Sequence, residues 1–191
     1  MTATARRAVV IGASAGAVQA LLTILPTLPA DYPVPVLIAV HVPPDRVNGL
    51  VPLLRASCAL AVVEAEDKET VRPGTIYFAP PDYHLLVERE GGLALSSDEA
   101  VNYSRPSIDV LFESAADAYG DGLVGVILTG ANNDGAAGLK TIMDSGGEAF
   151  VERPSEAYAS TMPEAALKAC PGATVMSLLE IARCLREIQA T

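Results

Sequence analysis

Hydrophobic and polar positions along the chain change period in a regular way. Residues 7–11 form a short, β-branched apolar run that ends at Gly12, the pattern of a buried strand. Residues 16–28 then carry Val18, Leu21, Leu22 and Leu25 at helical spacing, with Pro29 just beyond. A second buried run, VPVLIAV, covers 34–40, a helical pattern covers 46–57, and a third strand is predicted at 61–65. Strand alternating with helix predicts a parallel sheet with helices on both faces.

The middle of the chain breaks this rhythm. Three short β-like pieces, 75–79, 84–88 and 93–96, are separated by Pro80-Pro81-Asp82 and by Gly91-Gly92, and the second separator is a hairpin signal. An antiparallel appendage is expected there. Alternation resumes with a helix at 107–119, a strand at 123–128, a helix at 135–145 and a strand at 148–151. Helices near 163–169 and 177–188 complete the pattern. No internal repeat or long linker divides the chain, so residues 1–191 read as a single domain.

Composition narrows the function classes. The chain is 50% hydrophobic over 191 residues, enough for one well-buried core. Its formal net charge is −10, and no Lys/Arg cluster supplies the basic footprint of a nucleic-acid binder. Cys58, Cys170 and Cys184 are scattered and odd in number, which argues against a disulfide framework or a zinc site and suits a reducing cytosol. No apolar run reaches the length of a membrane span. The start, MTATARRAVVIGAS, reads as the lead-in to a strand rather than a signal peptide.

Candidate chemistry begins where the first strand turns. VVIGASAGA offers either a phosphate loop at a helix N-terminus or a G-x-S-x-G bend presenting Ser14 as a nucleophile. A Walker loop would need a lysine after Gly16, and a dinucleotide fold would need an acidic residue where the second strand ends in Val40-His41. His41 changes the weighting. In an open parallel sheet the carboxyl ends of adjacent strands share one crevice, so Ser14 and His41 can meet there. The rival histidine, His84, lies in the antiparallel region. A third group, Asp134, ends the loop TGANND after a later strand. Taken singly, Ser14 and Asp134 could be helix caps and His41 a structural residue. Their joint placement at three strand ends favours a serine–histidine–aspartate set.

At these residues the chain resembles a known family. IGASAGA, VHVPP, AEDKETVRPGTIYFAPPDYHLLVE, NYSRPSIDVLFESAA and GVILTGANNDGAAGLKTIMDSGG are similar, in order and spacing, to the catalytic domain of chemotaxis protein-glutamate methylesterases, the CheB family. The resemblance implies a doubly wound, mostly parallel α/β sheet with helices on both faces and an antiparallel β-hairpin insertion. It also implies hydrolysis of glutamyl methyl esters on methyl-accepting chemotaxis receptors, deamidation of selected receptor glutamines in many members, and a cytoplasmic location. The family triad falls on Ser14, His41 and Asp134, and no metal or organic cofactor is implied. Oxyanion donors are expected at the backbone N–H groups of Ala15 and the 130–132 loop, Ala131 among them. Arg105 is a candidate substrate contact, with surface pairing as its other reading, and Ser107 is expected to cap the following helix. A same-fold esterase or amidase acting on another substrate, and a non-catalytic signalling module, are the alternatives.

Three departures from the family pattern stand out. GASAGA replaces GAS-[ST]-GG at Ala15 and Ala17, Val40 replaces the glutamine before the histidine, and Ala131 and Asn132 replace Met and Gly in LTGMGxDG. Asn tolerates a left-handed backbone, so Asn132 is expected to preserve the turn. Regulated relatives carry an N-terminal receiver domain, whereas here the catalytic strand follows Met1 almost at once. The expectation is therefore a stand-alone member or an excised domain, controlled, if at all, by a protein acting in trans.

Overall fold

The protein is described by a computed structural model that covers residues 7–41 and 49–190. Its elements run β1 (Ala8–Ala13), α1 (Ala17–Ile24), β2 (Val36–Val40), α2 (Leu50–Ser57), β3 (Ala61–Glu64), β4 (Thr75–Phe78), β5 (His84–Val87) and β6 (Leu93–Ser96). They continue α3 (Ile108–Tyr119), β7 (Leu123–Ile127), α4 (Ala136–Asp144), β8 (Glu148–Glu152), α5 (Thr161–Ala169), β9 (Thr174–Met176) and α6 (Leu178–Arg186). Seven parallel strands form one sheet in the order β3-β4-β2-β1-β7-β8-β9, and β5 pairs antiparallel with β6 in a separate hairpin.

The strands are apolar on both faces because both faces are covered. Val9, Ile11 and Ala13 of β1 pack into a core with Leu21 and Ile24 of α1, Leu54 of α2 and Leu185 of α6. Ala8 and Val10 point to the opposite core, shared with Leu111 and Phe112 of α3, Leu139 and Ile142 of α4 and Ala166 of α5. The hairpin closes this second core through Leu85, Val87 and Leu93. Removing a fully buried side chain such as Ile11 would cost about 2–5 kcal/mol. Local chemistry sets several boundaries: Ser177 and Glu180 form a reciprocal capping box that starts α6.

Two predicted features differ. The piece at 75–79 belongs to the main sheet as β4, paired in parallel between β3 and β2, and not to the antiparallel appendage. Ile76, Tyr77 and Phe78 are all buried, as a central parallel strand requires. The edge strand β9 has no counterpart in the prediction: it is three residues long, and Thr174 and Val175 are exposed, so it carries little hydrophobic pattern. Of the predicted helix at 46–57, residues 46–48 lie outside the described residues, and α2 occupies the remainder from Leu50. No helix among the described residues is long and apolar enough to cross a membrane.

Candidate active site

The sheet order puts β1 between β2 and β7, so the loops after all three open on the same edge. Ala13 sits opposite Val40 in the β1–β2 register, and Gly12 sits opposite Ile127 in β1–β7. Ser14 and His41 therefore leave neighbouring strands at the same level. Backbone bonds stitch the edge together: His41 N–H donates to the Ala13 carbonyl at 3.3 Å and Ser14 N–H to the Thr129 carbonyl at 2.9 Å. Crossovers on either side of β1 create this crevice, where open α/β sheets bind ligands.

Gly16 completes the Ser14 bend. Its φ of 87° is left-handed, and a Cβ there would lie 2.7 Å from Cβ of Tyr158. The absence of a side chain thus permits both the turn into α1 and the approach of the 158–159 segment. Thr129 ties the three pieces together, its hydroxyl donating to the Ala15 carbonyl (2.7 Å) and accepting from Ala159 N–H (2.9 Å). Thr129 N–H donates in turn to the carboxyl of buried Glu152 at 2.7 Å. Burial pushes the Glu152 carboxyl above its ordinary 4.5, only partly opposed by the Thr129 N–H.

His41 Nε2 lies 2.7 Å from Asp134 Oδ2. Asp134 is fully buried, and five donors converge on its carboxylate: His41 Nε2, Asn102 Nδ2, the Ser107 hydroxyl and the N–H groups of Ile108 and Asp109. Burial alone would raise this carboxyl; hydrogen bonds from His41, Ile108, Asn102 and Asp109 outweigh it and leave the group below its ordinary 3.8. A carboxylate so held accepts a hydrogen bond from Nε2–H, which fixes the His41 tautomer with Nδ1 bare. Asp134 does not cap the helix it precedes. The N-cap of α4 is Gly135, with φ 94°, and the carboxylate reaches instead to the positive N-terminal end of α3. Ser107 is the N-cap of α3, as expected, with Val110 N–H at 3.5 Å, and its hydroxyl also serves Asp134.

His84 has a different occupation. It is buried, its Nδ1 accepts from Ser107 N–H at 3.1 Å, and its Nε2 donates to the Glu99 carbonyl at 2.9 Å. Both ring nitrogens are spent on holding the approach to α3. Arg105 spends its guanidinium likewise, on Asp82 and on the carbonyls of Ser97 and Asp98, which is the surface-pairing reading of that residue. Ala15 and Ala131 retain backbone N–H groups without a hydrogen-bond partner among the described residues. Ser14 Oγ likewise makes no hydrogen bond to any described residue.

Asn132 departs from expectation. It is not among the residues with positive φ, so the turn is not preserved by a left-handed asparagine backbone. Its side chain acts instead: Oδ1 accepts from Asp134 N–H at 3.1 Å, and Nδ2 lies 3.2 Å from His41 Nδ1. Sequence reasoning also missed Asn102, Asp109, Thr129 and Glu152. Asn102 Nδ2 bridges Asp134 and Asp109, and Asp109 accepts from Gly138 N–H at 2.6 Å. The only signal for Asn102, Asp109 and Thr129 is their place in the family-like NYSRPSIDVLF and GVILTGANNDG blocks; Glu152 lies in none of them.

A doubly wound sheet with a serine bend, a carboxylate-bound histidine and free backbone donors at its central strand ends defines an α/β protein with a candidate hydrolase site. The chain belongs to the CheB methylesterase family, which matches residues 9–185. A Leptospira interrogans protein named "Putative protein-glutamate methylesterase/protein-glutamine glutaminase" is 47% identical over 175 residues, covering 92% of this chain and 91% of that one. An Archaeoglobus fulgidus protein-glutamate methylesterase/protein-glutamine glutaminase is 39% identical across 91% of this chain but only 51% of its own length. The crystal structure of the Thermotoga maritima CheB methylesterase catalytic domain superposes with a TM-score of 0.91 at 32% identity, covering 95% of this chain and 98% of that one.

Proposed function

We propose that the chain hydrolyses γ-methyl esters of glutamate side chains on methyl-accepting chemotaxis receptors, releasing methanol, with Ser14, His41 and Asp134 as its triad. The 2.7 Å contact between His41 Nε2 and Asp134 Oδ2, beside the Ser14 bend, is the observation that carries this reading. Asp134 holds the proton on Nε2, so Nδ1 is the base. Ser14 Oγ attacks the ester carbonyl as its proton passes to Nδ1, and the imidazolium that forms is stabilised by the Asp134 charge. Ala15 and Ala131 N–H donate to the developing oxyanion, a contribution of about 3–4 kcal/mol for one such donor in a comparable hydrolase. Nδ1–H then protonates the departing methoxide. Water, deprotonated by Nδ1, cleaves the acyl-enzyme and restores Ser14. An amide nitrogen can leave by the same route, which makes receptor glutamine deamidation the natural second activity. The names of the relatives point to both.

The crevice lacks a free cation from Arg105, because its guanidinium is committed to Asp82. Recognition of the receptor is accordingly assigned to surfaces around the crevice rather than to an arginine gripping the ester.

The test is methanol release from a methylated receptor fragment by the purified chain, run beside fluorophosphonate labelling of Ser14. Labelling together with methanol release is expected. Labelling without methanol release would mean a different ester or amide substrate. No labelling at all would mean a non-catalytic module.

A further inference from the structure

The bare nitrogen of His41 is not idle. Asn132 Nδ2 stands 3.2 Å from Nδ1, while Asn132 Oδ1 accepts from Asp134 N–H at 3.1 Å. The amide cannot be turned over, since its NH2 would then face the Asp134 N–H, donor against donor. Nδ1 must also be unprotonated, because Nε2 holds its hydrogen for Asp134. Asn132 therefore donates to the lone pair that has to receive the Ser14 proton.

We infer that Asn132 is a latch on the base, its side-chain amide occupying His41 Nδ1 at rest and releasing it before Ser14 can be deprotonated. The inference rests on the assignment of Ser14 and His41 as nucleophile and base. Once Nδ1 has taken the serine proton, it and the Asn132 NH2 are both donors, so the latched geometry is incompatible with the imidazolium. The amide cannot swing round to accept that proton without giving up Asp134 N–H. Occupation of the latch thus opposes the first chemical step, and a substrate that displaces the amide activates the base. Asn132 is a positioning residue: it acts on the reaction only through the ring of His41.

Two substitutions move in opposite directions. Asn132→Gly removes the donor and frees Nδ1. Asn132→Asp keeps an oxygen for the Asp134 N–H but sets a carboxylate against Nδ1 and holds a proton there. The probe is a fluorophosphonate: Ser14 Oγ forms the bond to phosphorus, fluoride leaves, and the serine proton goes to Nδ1. Its labelling rate should rise about two- to tenfold in Asn132→Gly, the range that one neutral hydrogen bond supplies. In Asn132→Asp it should fall about tenfold or more. Melting curves check that both variants are folded under the assay conditions.

A purely structural role, capping the Asp134 N–H, predicts the reverse: Asn132→Asp near wild type and Asn132→Gly slower. Imidazole 15N spectra give a second readout. The His41 Nδ1 resonance should move toward that of a bare imine nitrogen in Asn132→Gly, with His84, the only other histidine, unchanged. Labelling of Asn132→Gly no faster than wild type, or an unmoved Nδ1 resonance, overturns the latch. Failure of the underlying assignment looks different: His41→Ala would then label as fast as wild type, whatever Asn132 does.

Discussion

Asp134 and Asp109 exchange helix ends. Asp134, just ahead of α4, places its carboxylate on the N–H groups of Ile108 and Asp109 at the start of α3. Asp109, in the first turn of α3, places its own on Gly138 N–H of α4. The Asn102 amide bridges the two carboxylates at 2.8 and 2.9 Å. Each helix N-terminus thus neutralises the acid of the other. The triad candidate is held by the same contacts that lock α3 to α4, so chemistry and packing are tied at this point.

Asp134→Asn should therefore lose on two fronts. The amide cannot fix the His41 tautomer, and a loss of about 10⁴ in kcat is expected. Its NH2 must also face two or three of the five donors, so stability should fall by about 1–3 kcal/mol. Methanol release and denaturant unfolding of the variant measure the two separately. Full activity would reduce Asp134 to a brace between helices.

Ser14→Ala and His41→Ala should each abolish methanol release, and the double variant should be hardly worse, since triad members act as a unit. His84→Ala should instead lower stability by about 1–3 kcal/mol, because Ser107 N–H loses its acceptor and the Glu99 carbonyl its donor. Its residual activity per folded molecule should far exceed that of His41→Ala. The reverse ranking would reassign the base.

Glu152 sets a pH dependence. Its folded-state carboxyl titrates above the ordinary 4.5, because burial disfavours the charged form. The unfolded chain therefore ionises first as pH rises, and the folded state loses stability from about pH 4.5 upward until the buried group ionises too. Glu152→Gln should remove that loss. Its melting temperature should exceed that of the wild type at pH 7, with the difference closing below pH 4.5. A difference independent of pH would mean that packing, not charge, governs this site.

The Asp134 carboxylate acts with the opposite sign. Its folded-state titration lies below the ordinary 3.8, so its contribution is present above that pH and is lost as pH falls through the lower folded value. Asp134→Asn should therefore be destabilised relative to wild type at neutral pH, with the gap narrowing only on acidification below pH 3.8. Melting temperatures of the two proteins from pH 7 down to pH 2.5 test this.

Gly16→Ala should be destabilised by about 1–2 kcal/mol, since alanine is strained at φ 87° and its methyl group would meet Tyr158. Ser14 labelling should slow in parallel as the bend shifts. An unchanged melting temperature would show that the 158–159 segment moves aside freely.

The sequence by itself determined the alternation of strand and helix, the hairpin, the cap at Ser107, and the gathering of Ser14, His41 and Asp134 on one sheet edge. Local period and turn chemistry carry that information: a buried parallel strand must be continuously apolar, and the crevice of a wound sheet lies at its strand ends. Pairing partners were beyond its reach. Thr75–Phe78 reads locally like its hairpin neighbours, and only burial on both faces makes it a central strand. The same limit applies to polar contacts. Nothing within a few residues of Asp134 reveals that its carboxylate serves α3 rather than α4. Nothing near Asn132 reveals that its amide, not its backbone, meets His41. Those bonds join residues 91 to 93 apart or span two helices, and such distances close only when the whole sheet has formed.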